Sequence, residues 1–184
     1  MMSFEDSLIS MMMTINTLKI IGEEERIDSL LKDICTDDGY YDFKLLLTND
    51  DEQDIIPFSL DNITFLKSGI KITIYSLYEM GDIIKEISKE YKDLEFQYCY
   101  CIPYDQEIGY LSIKDNKYIK NPTYVNGFDN SFEYLNLALQ LKFISKKDLI
   151  NAKDDIDESD YEILNSRYLK KKDKNTIDFS FLKK

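Results

Sequence analysis

The sequence predicts an α+β fold: an antiparallel sheet with two helices on one face, in the order β-α-β-β-α-β, followed by a helical C-terminal extension. Three observations predict it. Apolar and β-branched residues alternate over 14–21, 62–67, 70–77 and 94–102, the period of half-buried strands. Apolar residues recur at helical spacing over 27–34 and 80–91. The short Ser68-Gly69 segment between two alternating runs has the composition of a hairpin turn.

The first strand, 14–21, stops at Gly22, and Glu23, Glu24 and Glu25 then supply the negative charge that a helix N-terminus favours. Ile27, Leu30, Leu31 and Ile34 form the buried stripe of that helix, which ends before Asp37-Asp38-Gly39. Residues 37–61 read as a long connection in which 43–47 makes a short strand and Pro57 disfavours regular structure at 55–58. The hairpin follows, and Met80, Ile83, Ile84, Ile87 and Tyr91 mark the second helix. In the long strand 94–102, Leu94, Phe96, Tyr98, Tyr100 and Ile102 face the helices. Glu95, Gln97, Cys99 and Cys101 take the opposite, open face. A strand over 109–113, a turn at Asp115-Asn116 and a continuation over 117–120 extend the sheet, with breaks at Asn121-Pro122 and Asn126-Gly127. Phe132, Leu135, Leu139 and Phe143 then form a helical stripe. Ser145 caps a second helix, and Tyr161, Leu164 and Tyr168 line a third. The chain thus divides into an extension over 1–12, an α+β domain over 13–125 and a helical extension over 126–184 that ends in a basic tail.

Composition bounds function. A chain of 184 residues buries roughly 70% of its unfolded surface, so the fold needs no disulfide or metal staple. The formal net charge is −12, which repels phosphate backbones and argues against direct nucleic-acid binding. Histidine is absent, which removes the usual general base and the commonest metal ligand. Glu5 and Asp6 stand where a signal peptide carries positive charge, and the nearby apolar run is too short to span a membrane. The three cysteines, Cys35, Cys99 and Cys101, read as reduced thiols. The expectation is a soluble, cytoplasmic protein without a cofactor.

Ile15-Asn-Thr-Leu-Lys-Ile-Ile-Gly22 before an acidic helix start, Leu94-Glu-Phe96 after a Lys-Glu-Tyr-Lys-Asp helix end, and Gly109-Tyr-Leu-Ser-Ile-Lys-Asp115 together resemble the YubB-type ferredoxin-like domain proteins. These are carried by phages, plasmids and other mobile elements. The resemblance covers about 14–116 and implies a ferredoxin-like fold with no assigned catalytic residue. One corner departs from the family: in place of an aromatic residue and paired prolines before the second helix, this chain reads Tyr75-Ser-Leu-Tyr-Glu-Met80.

Cys99-x-Cys101 begins a zinc pattern, but only Cys35 remains to extend it, so the thiols read as packing residues. The acidic run 154–160 lacks the glycine and closing glutamate of a calcium loop. Residues 37–61 carry eight acids against the single Lys44, net −7, with Asp50, Asp51, Glu52 and Asp54 at their centre. Solvation is the plain reading of such a run. Two functions compete beyond it. The leading one is a non-catalytic, acidic protein-binding module of a phage or mobile element. It would inhibit a host nucleic-acid-targeting defence protein, in the manner of an anti-CRISPR, by placing Asp50, Asp51, Glu52 and Asp54 in a basic groove. Tyr75, Gln97 and Cys99 on the open sheet face are the alternative contact. The competing function is a metal-dependent phosphodiesterase or nuclease using the carboxylates of 50–54.

Overall fold

In a computed structural model, residues 13–47, 55–127, 131–151 and 153–168 are described. The elements are β1 (Thr14–Ile21), α1 (Glu24–Asp33), β2 (Ile63–Leu66), β3 (Gly69–Ser76), α2 (Gly81–Glu90), β4 (Glu95–Ile102), β5 (Glu107–Lys114) and β6 (Lys117–Asn126). The helices α3 (Ser131–Leu141), α4 (Lys146–Asn151) and α5 (Glu158–Tyr168) follow. The fold is α+β, with one open six-stranded antiparallel sheet in the order β2-β3-β1-β4-β5-β6. The central strand β1 runs antiparallel to β3 on one side and to β4 on the other.

The core follows from the two periodicities. Ile27, Leu30 and Leu31 from α1, with Ile34 at its C-terminal cap, join Ile83, Ile84 and Ile87 from α2 in one buried cluster. The strands contribute every second residue to it: Leu18 and Ile20, then Ile70, Ile72 and Ile74, then Phe96 and Tyr98, then Leu111 and Ile113. One network ties the helix ends. Arg26 Nε donates to Asp93 at 2.7 Å and its guanidinium lies 5.4 Å from the centre of the Tyr91 ring, while the Tyr91 hydroxyl donates to Asp33.

Three local expectations are corrected. Residues 43–46 form a 3-10 turn and not a strand, because Asp42 accepts from the Lys44 amide at 2.9 Å and closes a tight turn that buries Phe43. The hairpin turn is Lys67-Ser68, one residue earlier than expected. Gly69 already pairs with Leu66, at φ +156, where a Cβ would lie 1.9 Å from the Ile20 carbonyl oxygen. Only glycine permits that approach. Lastly, β6 runs through Asn121-Pro122 to Asn126. Proline is tolerated there because the strand is the sheet's outer edge, where an outward-facing ring nitrogen removes no ladder bond.

The chain falls into two compact units, one running through Tyr104 with Gly109–Tyr124, the other formed by Asp105–Ile108 and Val125 onward. Within the second, Leu139, Leu149 and Leu164 form a small core against which Phe132, Leu135, Tyr161 and Tyr168 pack. Asn136 Oδ1 accepts from Arg167 at 2.7 Å and from the Tyr168 hydroxyl at 2.8 Å, tying α3 to α5. Ser145 caps α4 as read from sequence: its hydroxyl accepts from the Asp148 amide at 3.2 Å, while Asp148 accepts from the Ser145 amide at 2.7 Å. Among the described residues, no helix is long and apolar enough to cross a membrane.

Candidate functional site

The corner where β3 leads into α2 is built on a buried polar hub. Asn16 lies in phase with Leu18 and Ile20 on the core face of β1, so its amide is out of reach of water. The hub satisfies it. Asn16 Nδ2 donates to Ser76 Oγ at 2.6 Å and to the Ile74 and Thr14 carbonyls at 3.3 Å each. The Tyr98 hydroxyl donates to Asn16 Oδ1 at 2.6 Å and itself accepts the Met80 amide at 2.5 Å. Ser76 in turn donates to the Tyr78 carbonyl. Burial pushes the Tyr98 phenol well above its ordinary value, so at neutral pH it is a fixed donor. Next to the hub, Glu79 accepts the Gly81 amide at 2.6 Å and satisfies one of the open amides at the start of α2.

This hub fixes what lies above it. Tyr75 is 42% exposed, and Leu77 and Tyr78 continue the exposed apolar surface at 42% and 69%. The chain returning from the acidic connection docks on the same corner. Ile55 bridges to Ser76, and the exposed Ile56 donates its amide to the Tyr75 carbonyl at 3.1 Å. Asp50, Asp51, Glu52 and Asp54 themselves lie outside the described residues. Within the described residues, Ile55 and Ile56, which follow the acidic run in sequence, are the part of that connection seen at the Tyr75 corner.

The other residues of the expected open face do not join it. β1 lies between β3 and β4, so Ile15 separates Tyr75 from Cys101. Gln97 is level with Lys19 and Lys71, four residues along the sheet from Tyr75, or about 13 Å. The Gln97 amide donates to Glu95 at 2.8 Å, and its buried Oε1 has no partner among the described residues. Cys99 is fully buried and offers no contact surface. This face is not open along its length, because Thr17, Cys101, Tyr110 and Ser112 are buried on it as well. Among the described residues no group of three or more acids or cysteines has metal-holding geometry. No family model, curated protein or solved structure matches the chain.

The thiols give a direct check of this arrangement. Cys35 is exposed, whereas burial pushes the Cys99 thiol up to about 12. In the native protein a thiol reagent is expected to modify Cys35 quickly and Cys99 only after unfolding, as read by peptide mass mapping. The linkage has a sign. An unfolded Cys99 ionises near its ordinary value of 9.0 while the folded one keeps its proton, so the unfolded chain binds fewer protons there. Stability is therefore expected to decline as pH rises above 9.0, with Tyr98 adding to the loss at higher pH. A denaturation midpoint that stays flat through that range would contradict the burial.

Proposed function

We propose that the protein is a ferredoxin-like binding module that occupies a basic surface on another protein. The order β2-β3-β1-β4 and the joint burial of the α1 and α2 stripes with one set of alternating strand residues support the ferredoxin-like reading. The observation that carries the functional reading is the exposed apolar corner at Tyr75. Ile56, Tyr75, Leu77 and Tyr78 are exposed beside a buried, hydrogen-bonded hub, and four carboxylates precede Ile55 in the sequence. Protein interfaces have this composition: an aromatic centre that excludes water and a charged rim that steers encounter. The target chemistry that fits is a Lys/Arg-lined groove of a nucleic-acid-binding protein, where carboxylates compete with phosphates. The resemblance to YubB-type proteins supports a mobile-element setting, with a host defence nuclease as the target and inhibition of the anti-CRISPR kind as the outcome.

The test is displacement of labelled DNA or RNA from purified nucleic-acid-guided nucleases by this protein. Displacement is expected, together with its loss when Asp50, Asp51, Glu52 and Asp54 become Asn, Asn, Gln and Asn. The same assay with Mg²⁺ or Mn²⁺ and free labelled nucleic acid addresses catalysis. Metal-dependent cleavage that disappears in Asp51→Ala would replace the binding reading with a phosphodiesterase.

A further inference from the structure

The sheet ends on very unequal edges. β2 is four residues long, whereas β6 is ten residues long and exposed over most of its length. Tyr118, Ile119 and Tyr124 are all exposed on it. The β5–β6 turn has only two residues, Asp115 and Asn116, with φ of 50 and 56, the left-handed pair of a type I′ turn. Such a turn makes Lys114 and Lys117 a mutually hydrogen-bonded pair. The odd-numbered residues of β6 therefore direct their amides at β5, and the even-numbered ones direct theirs outward. Tyr118, Lys120 and Tyr124 present outward N–H and C=O groups, and Pro122 presents a carbonyl. Among the described residues no strand pairs with this edge, so it is a usable ladder with one missing donor.

Its charge is opposite to the net charge of the chain. Lys114, Lys117 and Lys120 stand against Glu107 and Asp115 on this hairpin, in a protein of net charge −12. Lys85 adds a fourth ammonium, 5.5 Å from the centre of the Tyr118 ring, and Lys117 lies 3.8 Å from Asp115 in an exposed pair. Lysines on an edge strand oppose pairing with a like edge, which argues against a second copy of this chain. They attract an edge of opposite sign. We propose that β6 receives an extended, acidic segment of a partner protein, which adds to the sheet as a seventh strand. Backbone bonds to Tyr118, Lys120 and Tyr124 set the register, and the lysines select acidic side chains.

The full chain is titrated with a synthetic ten-residue peptide of alternating glutamate and valine, and with its lysine-valine counterpart, while backbone amides are followed by NMR and hydrogen exchange. The expected result is protection of the Tyr118, Lys120 and Tyr124 amides by the glutamate peptide alone, with β2 amides unaffected. Lys120→Pro, which removes a central outward N–H, abolishes that protection. The double change Lys117→Glu with Lys120→Glu, which leaves the strand's backbone intact, weakens the glutamate peptide by about tenfold or more and favours the lysine peptide. Equal binding of both peptides overturns the proposal, as does absence of protection along β6. Protection of the same amides in the free protein that grows with its own concentration overturns it in favour of a second copy.

Discussion

Ile84→Ala is expected to destabilise the protein by about 2–5 kcal/mol, the cost of losing a buried side chain's transfer energy and leaving a cavity. Ile84 is fully buried on α2, in the same cluster as the α1 stripe and the strand residues Ile72, Ile74 and Phe96. The close-packed core relaxes only partly around the missing atoms. The control is Ile119→Ala on the exposed edge strand, where the change should remain within about 0.5 kcal/mol. Urea denaturation followed by circular dichroism reads both. Equal midpoints for the two variants would mean that α2 does not present this face to the sheet.

The second large effect belongs to the polar hub. Asn16→Ala leaves the Tyr98 hydroxyl without its acceptor and Ser76 without its donor, both in a site closed to water. Each buried group left unpartnered costs about 1–3 kcal/mol. Tyr98→Phe alone strands Asn16 Oδ1 and the Met80 amide and should cost a similar amount. Because the two residues satisfy each other, the double variant should lose less than the sum of the singles, with a coupling of about 0.5–3 kcal/mol. Additive losses in the same denaturation experiment would show that the hub is not one network.

The elements that sequence reading located were those where a single period runs uninterrupted. Leu18, Ile20, Ile27, Leu30, Ile84 and Ile87 each lie in phase with their neighbours, and all are buried. Asn16 was missed although it lies in the same phase as Leu18 and Ile20. A polar residue in an apolar period reads as an interruption, and its partners Ser76 and Tyr98 are 60 and 82 residues away. The extension of β6 through Pro122 was hidden for a related reason. Proline ends a central strand but is harmless on an edge, and edge position is a property of the whole sheet. The candidate site was legible in pieces. Tyr75 and the acids of 50–54 each stood out by residue type, but that the chain after the acids returns to the Tyr75 corner depends on the Ile55–Ser76 bridge, a long-range pairing with no local signal. Cys99, whose burial agrees with its reading as a packing thiol, was also offered as a contact on the open face because nothing in its alternation reveals that this face is buried too.

The central proposal is that the tyrosines of this corner and the carboxylates that precede Ile55 in sequence both engage a basic partner. The measurement that tests it most directly is the association rate with a nuclease that the protein displaces from its nucleic acid, followed from low to high salt. Two variants accompany the native chain: one with Asp50, Asp51, Glu52 and Asp54 neutralised, and one with Tyr75→Ala and Tyr78→Ala. The account predicts a rate that falls steeply with salt, a flattened dependence in the acid variant, and faster dissociation with unchanged steering in the tyrosine variant. A rate indifferent to salt, and an affinity that survives both changes, would contradict it.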